Sequence, residues 1–474
     1  MFRLVCPSLQ PLFIREIHRV AFSKRFLLQN KMMLATACAY FHWPDTHSHS
    51  ASGVGLTMQS YHGYKRLRTQ TTPCCSMIRL ASTSNPENPT RSVEQDSQPT
   101  DKSAPNFHLV KLRSWAFAVE PFGSLSFKTS LSIRVMPIDP HDYPAADRAF
   151  VHLLLCSKSR DEKVKQKIES FGKGSDRNGM LERFVRCSVQ YSDDVIHING
   201  DAVDDVNDTL ISKEDTDYLW LVEVPMSYDV KAVTTDEASV TVEHLENQTC
   251  KVQTDKGDIV TKKLKSDKVS LRSTSGDVNC MKMLQGNITI ATGDYGNVTT
   301  DRLQGQEVSI NAGSGAILVK DVYANNSSFG SVNGGINLGN LHGDVAVSCK
   351  EGNLNIGSLD GSLTAHIDKG DITVYLAKHK DVDIDCKQGD ISIKTSADVT
   401  TKLHLQASEN IELPQELAAN FTPETKDESR EPDNRTKKGS LKGGQASSLT
   451  AVAHHGGITL SIQSWFDSLQ LQKK

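Results

Sequence analysis

The chain has 474 residues, 38% of them hydrophobic and only 6% aromatic, with a formal net charge of -4. Such a balance gives no extended basic face, which argues against a nucleic-acid partner. No run reaches the ~18 consecutive apolar residues of a spanning helix. The ten cysteines include no CxxC pair and no His/Cys cluster at metal-ligand spacing, so they read as free thiols of a reducing compartment, and neither metal nor cofactor is expected.

Residues 1 to 44 carry Arg3, Arg15, Arg19, Lys24, Arg25 and Lys31 against one acid, Glu16, with Phe13, Ile14, Ile17, Val20 and Phe22 between the charges. A cationic, amphipathic leader of this kind is what a mitochondrial presequence requires, since it must follow a membrane potential and dock by an apolar face. Residues 45 to 105 are rich in Ser, Thr, Pro, Asn and Gln and read as a disordered linker.

From Asn106 the pattern turns to short alternating runs such as Leu131-Ser132-Ile133-Arg134-Val135 and Val151-His152-Leu153-Leu154-Leu155. Period two with β-branched residues predicts strands. Residues 106 to 224 are therefore expected to form a β-rich region that caps the remainder of the chain, with one charged, helical-looking stretch from Asp161 to Phe171.

A glycine, one small or polar residue and an aliphatic then recur at Gly257, Gly276, Gly296, Gly315, Gly334, Gly352, Gly370 and Gly389, at intervals of 19, 20, 19, 19, 18, 18 and 19 residues. Fixed periods near twenty mark solenoids. A further unit at Gly456 comes 67 residues after Gly389, which leaves an insertion of about 48 once one coil is removed. The charged, core-poor residues from about 407 to 448 are expected to be that insertion, as a flexible excursion. The expected fold is an all-β, single-chain β-solenoid (β-helix) of about 19-residue coils over 225 to 465, with a short tail at 466 to 474.

Two residues after each glycine stand Ile259, Val278, Val298, Ile317, Ile336, Leu354, Ile372, Ile391 and Ile458, an aliphatic column that each coil shares with its neighbours. Seven after it come Leu264, Met283, Leu303, Val322, Leu341 and Leu359, and three before it come small or apolar residues including Thr254, Ser273, Gly293, Ala312, Cys349 and Cys386. The glycine itself is expected to supply a positive φ at a corner. Solenoid ends expose strand edges and need caps, for which Trp465 to Leu469 is the candidate at the far end.

Chemistry is sparse. No GxxxxGK[ST], GxSxG or HExxH motif occurs, and Gly313-Ser314-Gly315 lies in the repeat register and is explained by a turn. The acidic row Asp258, Asp277, Asp371 and Asp390, with Asn297 and Asn353 in register, could draw a cation or a hydroxyl-rich ligand, but turn chemistry accounts for it more simply. Polysaccharide-active β-helices use a carboxylate cluster with a basic partner; the outward positions Lys256, Ser275, Tyr295, Ser314, Glu351, Lys369 and Gln388 form no such cluster.

With Val222-Glu223-Val224-Pro225 running into repeated Gly-Asp-Ile and Gly-Asn-Val units, residues 106 to 465 resemble the putative-adhesin family of β-solenoid domains, widespread in bacteria. The resemblance implies a solenoid and, from the family label, surface attachment; it brings no catalytic residues. The functional expectation is a non-catalytic scaffold or binding module for an unknown protein or glycan ligand, with a carbohydrate-active enzyme or a secreted adhesin-like protein as the alternatives. The sequons at Asn247 and Asn287 bear on the last of these.

Overall fold

In the computed structural model the described residues are 108–157, 184–203, 216–424, 434–444 and 446–463. The basic leader, the linker, the charged stretch from Asp161 to Phe171 and the Trp465 to Leu469 tail lie outside them. The described chain is almost wholly strand, with one four-residue helix.

The repeat forms because alternate side chains turn inward and no coil can cover its own apolar face. After β8 (Asp229–Thr234), β9 (Val240–Glu243) and β10 (Glu246–Thr254), seven long strands each run round a corner. They are β11 (Ile259–Ser273), β12 (Val278–Thr292), β13 (Val298–Ala312), β14 (Ile317–Asn333), β15 (Ile336–Glu351), β16 (Leu354–Lys369) and β17 (Ile372–Gln388). Each pairs parallel with the next, one coil ahead. In register, Ile259, Val278, Val298, Ile317, Ile336, Leu354, Ile372, Ile391 and Ile458 stack as one inward ladder. All nine are buried.

Two positions in the predicted columns differ. Leu264 pairs with Leu284, and Met283 sits one place outward beside Arg302; Ser273 pairs with Thr292, which is buried in place of Gly293. The one residue more that the coil from Gly276 to Gly296 carries lies in its closing corner, between Thr292 and Gly296, where Tyr295 is left-handed at 73°. Around Lys282, which adopts a left-handed φ of 66°, the pairing with β11 slips by one residue and slips back by Asn287. A bulge of this kind moves the frame locally without breaking the stack.

The glycines also do something other than expected. A Cβ on Gly276 would lie 2.3 Å from the carbonyl oxygen of Gly257, and one on Gly315 would lie 1.9 Å from that of Gly296. Every repeat glycine is crowded by a backbone carbonyl oxygen in the same way, so the corner is a column of backbone resting on backbone. Among these glycines, positive φ is confined to the later coils, Gly352, Gly370, Gly389 and Gly456. Close approach is thus the general requirement, and left-handed φ an added one at four positions.

Both ends depart from sequential winding. At the first end, β2 (Ser124–Thr129) and β3 (Ser132–Pro137) form a coil lying between β8/β9 and an outer coil of β6 (Val195–Ala202) and β7 (Thr216–Val224). The outer coil is then covered by antiparallel strands: β5 (Val185–Ser192) on β6, β4 (Arg148–Ser157) on β7, and β1 (His108–Ala118) on β4. Solenoid pairing therefore starts well before the glycine motif does.

At the other end, β18 (Ile391–Thr395) leads to β19 (Thr401–Ala407) and β20 (Ile411–Glu412). The chain continues through α1 (Gln415–Ala418), β21 (Phe421–Pro423) and β22 (Thr436–Leu441) before β23 (Ser448–Ala453) and β24 (Ile458–Ile462). This last coil slots between β17/β18 and β19/β20. β22 pairs antiparallel with β19, and β21 with β22. The insertion expected to be flexible at 407 to 448 is, over its described residues, a cap. Few as they are, its apolar residues suffice, because Ile411, Leu417 and Leu441 are each buried in the core.

Two sets of measurements test this architecture. Ile372→Asp places a charge in a fully buried ladder position and is expected to unfold the protein or cost several kcal/mol in urea titration; deleting residues 410 to 445 is expected to lower the melting temperature by removing the cap. Gly334→Ala is expected to destabilise by about 1–3 kcal/mol through overpacking, since its Cβ would fall 2.2 Å from the Gly315 carbonyl oxygen. Gly335→Ala, with nothing nearer than 3.7 Å, is expected to be close to neutral.

Candidate functional site

The acidic row is the sharpest candidate in the sequence, and its geometry assigns it to the backbone. Asp258 Oδ1 accepts the N–H of Asp277 at 2.9 Å, Asp277 Oδ1 that of Asn297 at 2.7 Å, and Asn297 Oδ1 that of Ala316 at 2.9 Å. After a break at Gly335 the chain of bonds resumes: Asn353 to Asp371 at 2.9 Å, Asp371 to Asp390 at 3.0 Å, and Asp390 to Gly457 at 2.8 Å. Each side chain thus satisfies an N–H one coil on, a need that Asp and Asn meet equally well. Among the described residues no group of His, Cys, Asp and Glu is placed to hold a metal.

Cys250, Cys280, Cys349 and Cys386 turn inward and are buried. Burial pushes the Cys250 and Cys280 thiols up to about 12 and Cys386 up to about 11, which removes the thiolate needed for nucleophilic work. Cys349 and Cys386 are separated in register by Ile367. They occupy a column in which Thr254, Thr292 and the two thiols each direct a donor at a corner glycine carbonyl.

A cluster not anticipated from the sequence lies on the outward face of three neighbouring coils. His366 Nδ1 is 3.0 Å from Asp385 Oδ2, His454 Nε2 is 2.9 Å from Asp385 Oδ1, and Lys387 Nζ is 2.6 Å from Asp368 Oδ1. The Lys387 ammonium holds the Asp368 carboxyl below the usual carboxylate range, while burial, aided by the Asp385 charge, pushes Asp383 up. Asp383 and Asp385 have the composition of an acid/base pair, but both Asp385 oxygens already serve histidines. The cluster ties the last coil in sequence to β16 and β17. Its signal is present in the sequence, since His454 comes 67 residues after Lys387, the same offset that separates Gly456 from Gly389, yet only the insertion's path makes that offset one coil.

The corner within the long strands is built by Leu264, Leu284, Leu303, Val322, Leu341 and Leu359 inside and by charged and aromatic residues outside. The Arg302 guanidinium carbon lies 5.9 Å from the Tyr323 ring centroid, and Tyr323 stacks on His342 at 4.7 Å and 11°. His342 Nδ1 is 3.5 Å from Asp360 Oδ2. Four successive coils therefore contribute one residue each to a fixed outward stack. Beside it, a depression of about 370 Å³ is lined by Lys282, Met283, Asp301, Arg302, Lys320 and Asp321.

Of the sequons at Asn247 and Asn287, Asn247 is committed internally: its Nδ2 donates to the Tyr228 carbonyl at 2.8 Å and its Oδ1 accepts from Ser266 Oγ. Asn287 is exposed.

The row's structural role predicts a split between substitutions. Asp371→Asn keeps the acceptor and is expected to leave the midpoint of chemical unfolding unchanged within error, whereas Asp371→Ala is expected to cost about 1 kcal/mol.

Residues 282–415 match the family described as "Toastrack DUF4097". Among solved structures, the chain is similar to a "putative adhesin" from Parabacteroides distasonis, with 14% identity, TM-score 0.33, and coverage of 61% of this chain and 98% of that one. It is also similar to one from Bacteroides fragilis (12% identity, TM-score 0.20, 75% and 99% covered). A third similar structure is a "putative lipid binding protein" from Parabacteroides distasonis, at 10% identity and TM-score 0.28, with 74% and 96% covered.

Proposed function

We propose that this chain is a non-catalytic binding scaffold that presents the outward residues of its stacked coils to a partner. One observation carries the reading: the residues with chemical potential are occupied by the stack itself. The Asp/Asn row binds backbone N–H groups, the thiols of Cys250, Cys280, Cys349 and Cys386 are buried, and Asp385 is held by two histidines. What remains for a partner is the ordered outward surface of the corner, where Arg302, Tyr323, His342 and Asp360 sit one coil apart. A rigid array loses little conformational entropy on binding, which suits recognition better than turnover.

The basic leader supports mitochondrial import as the setting, in line with its cationic, amphipathic composition. A fluorescent reporter carrying residues 1 to 60 is expected to enter mitochondria, and cytosolic or secretory distribution would overturn that part. For the scaffold reading, proximity labelling from the tagged full-length chain is expected to mark a small, reproducible set of neighbours. Labelling no different from that of the free ligase would count against it.

A further inference from the structure

The depression beside the aromatic stack has more positive charge than its carboxylates can use. Asp301 is engaged through both oxygens: its Oδ2 accepts the Lys282 backbone N–H at 2.8 Å and its Oδ1 holds the Lys320 ammonium at 2.5 Å. These bonds hold its carboxyl below the usual range. Asp321 Oδ1 accepts from Asn340 Nδ2 at 2.8 Å. Neither the Lys282 ammonium nor the Arg302 guanidinium has an ion-pair partner among the described residues. Three cations from three successive coils thus face one hollow with two carboxylates, a net positive charge, and among the described residues two of the cations and the Asp321 carboxylate are without an ion-pair partner.

We propose that this hollow binds a small molecule bearing a phosphate monoester. A phosphate monoester carries about -1.5 to -2 charges at pH 7 and three acceptor oxygens, which the donors of Lys282, Arg302 and the remaining N–H groups of Lys320 can meet, with Asp321 turned to Asn340 at the edge of the hollow. Arg302 is the bidentate element, and its stacking on Tyr323 holds the guanidinium in place before any ligand arrives. Lys320 is likewise pre-placed by Asp301, and Lys282 closes the hollow from the preceding coil. The depression is shallow and open to solvent, so a phosphate would sit against the cations with an attached ring only partly covered. The exposed side of Met283 offers that ring an apolar contact.

This assignment rests on the scaffold reading and gives it a ligand class. The test is calorimetric titration of the full-length protein with glucose 6-phosphate and with inorganic phosphate at physiological salt. Saturable binding of the sugar phosphate with Kd below about 1 mM is expected, with inorganic phosphate weaker because it lacks the ring. Arg302→Gln and Lys282→Gln are each expected to weaken binding about tenfold or more, with unchanged melting because both side chains are on the surface. Lys350→Gln, an exposed charge elsewhere, is expected to have no effect. Absence of saturation with either probe at about 10-fold above that Kd, or equal weakening by Lys350→Gln, would overturn the site. If neighbours are still marked by proximity labelling after such a failure, the scaffold reading stands without it; if neither result appears, both fall.

Discussion

Every coil of this protein rests on the one before it through the corner where a glycine faces a carbonyl oxygen. At Gly276, Gly315 and Gly389 there is room for a hydrogen and for nothing larger, and the strands on either side can pair in register only because the corner is this close. The parallel ladder, the aliphatic column at Ile259 to Ile458 and the Asp/Asn row all depend on that spacing. The column stacks because successive coils are one strand apart. The row's side chains reach the next N–H for the same reason. Interior Thr, Ser and Cys residues then answer the glycine carbonyls that the tight corner would otherwise leave short of donors.

That arrangement divides the surface into parts with different freedom. Near the glycine corner, side chains are recruited by the backbone, so chemically attractive residues such as Asp371 and Asp390 are structural. Away from it, at the corner backed by Leu303, Val322 and Leu341, the interior asks only for an aliphatic residue pointing in. The outward residues there are not needed by the ladder, and it is there that Arg302 and Lys282 keep unpaired charge. Function in a repeat protein is expected where the repeat makes the fewest demands.

Much of this is legible in the sequence because the period is short and strict: a glycine every 18 to 20 residues fixes the register of β11 to β17 without any knowledge of the sheet. The rest is hidden for definite physical reasons. Counting from the glycine puts Met283 in the inward column, because a count cannot see the local slip at the left-handed Lys282, which is undone by Asn287. A lone glycine suggests a backbone conformation, whereas the common requirement is contact with a neighbouring coil, a fact about two chain segments rather than one. Leu417 and Leu441 are buried at the outermost rung, where β22 covers β19, yet two leucines in a charged segment leave no period. The cluster of His366, Asp385 and His454 depends on the path of the insertion. The β2/β3 coil, with no glycine to mark it, is visible only in the pairing itself.

The threading at the two ends bears on how the solenoid comes apart. In a solenoid wound strictly in sequence, the last coil has a neighbour on one side only, and thermal fraying works inward from it rung by rung. Here the last coil in sequence, β23/β24, is gripped between β17/β18 and β19/β20, and the first, β2/β3, between β6/β7 and β8/β9. A pull on β24, or on the chain entering β2, meets a clamped rung. The outermost rungs, β6/β7 and β19/β20, lie inside the sequence, and among the described strands it is β1, paired only with β4, that is left to peel first.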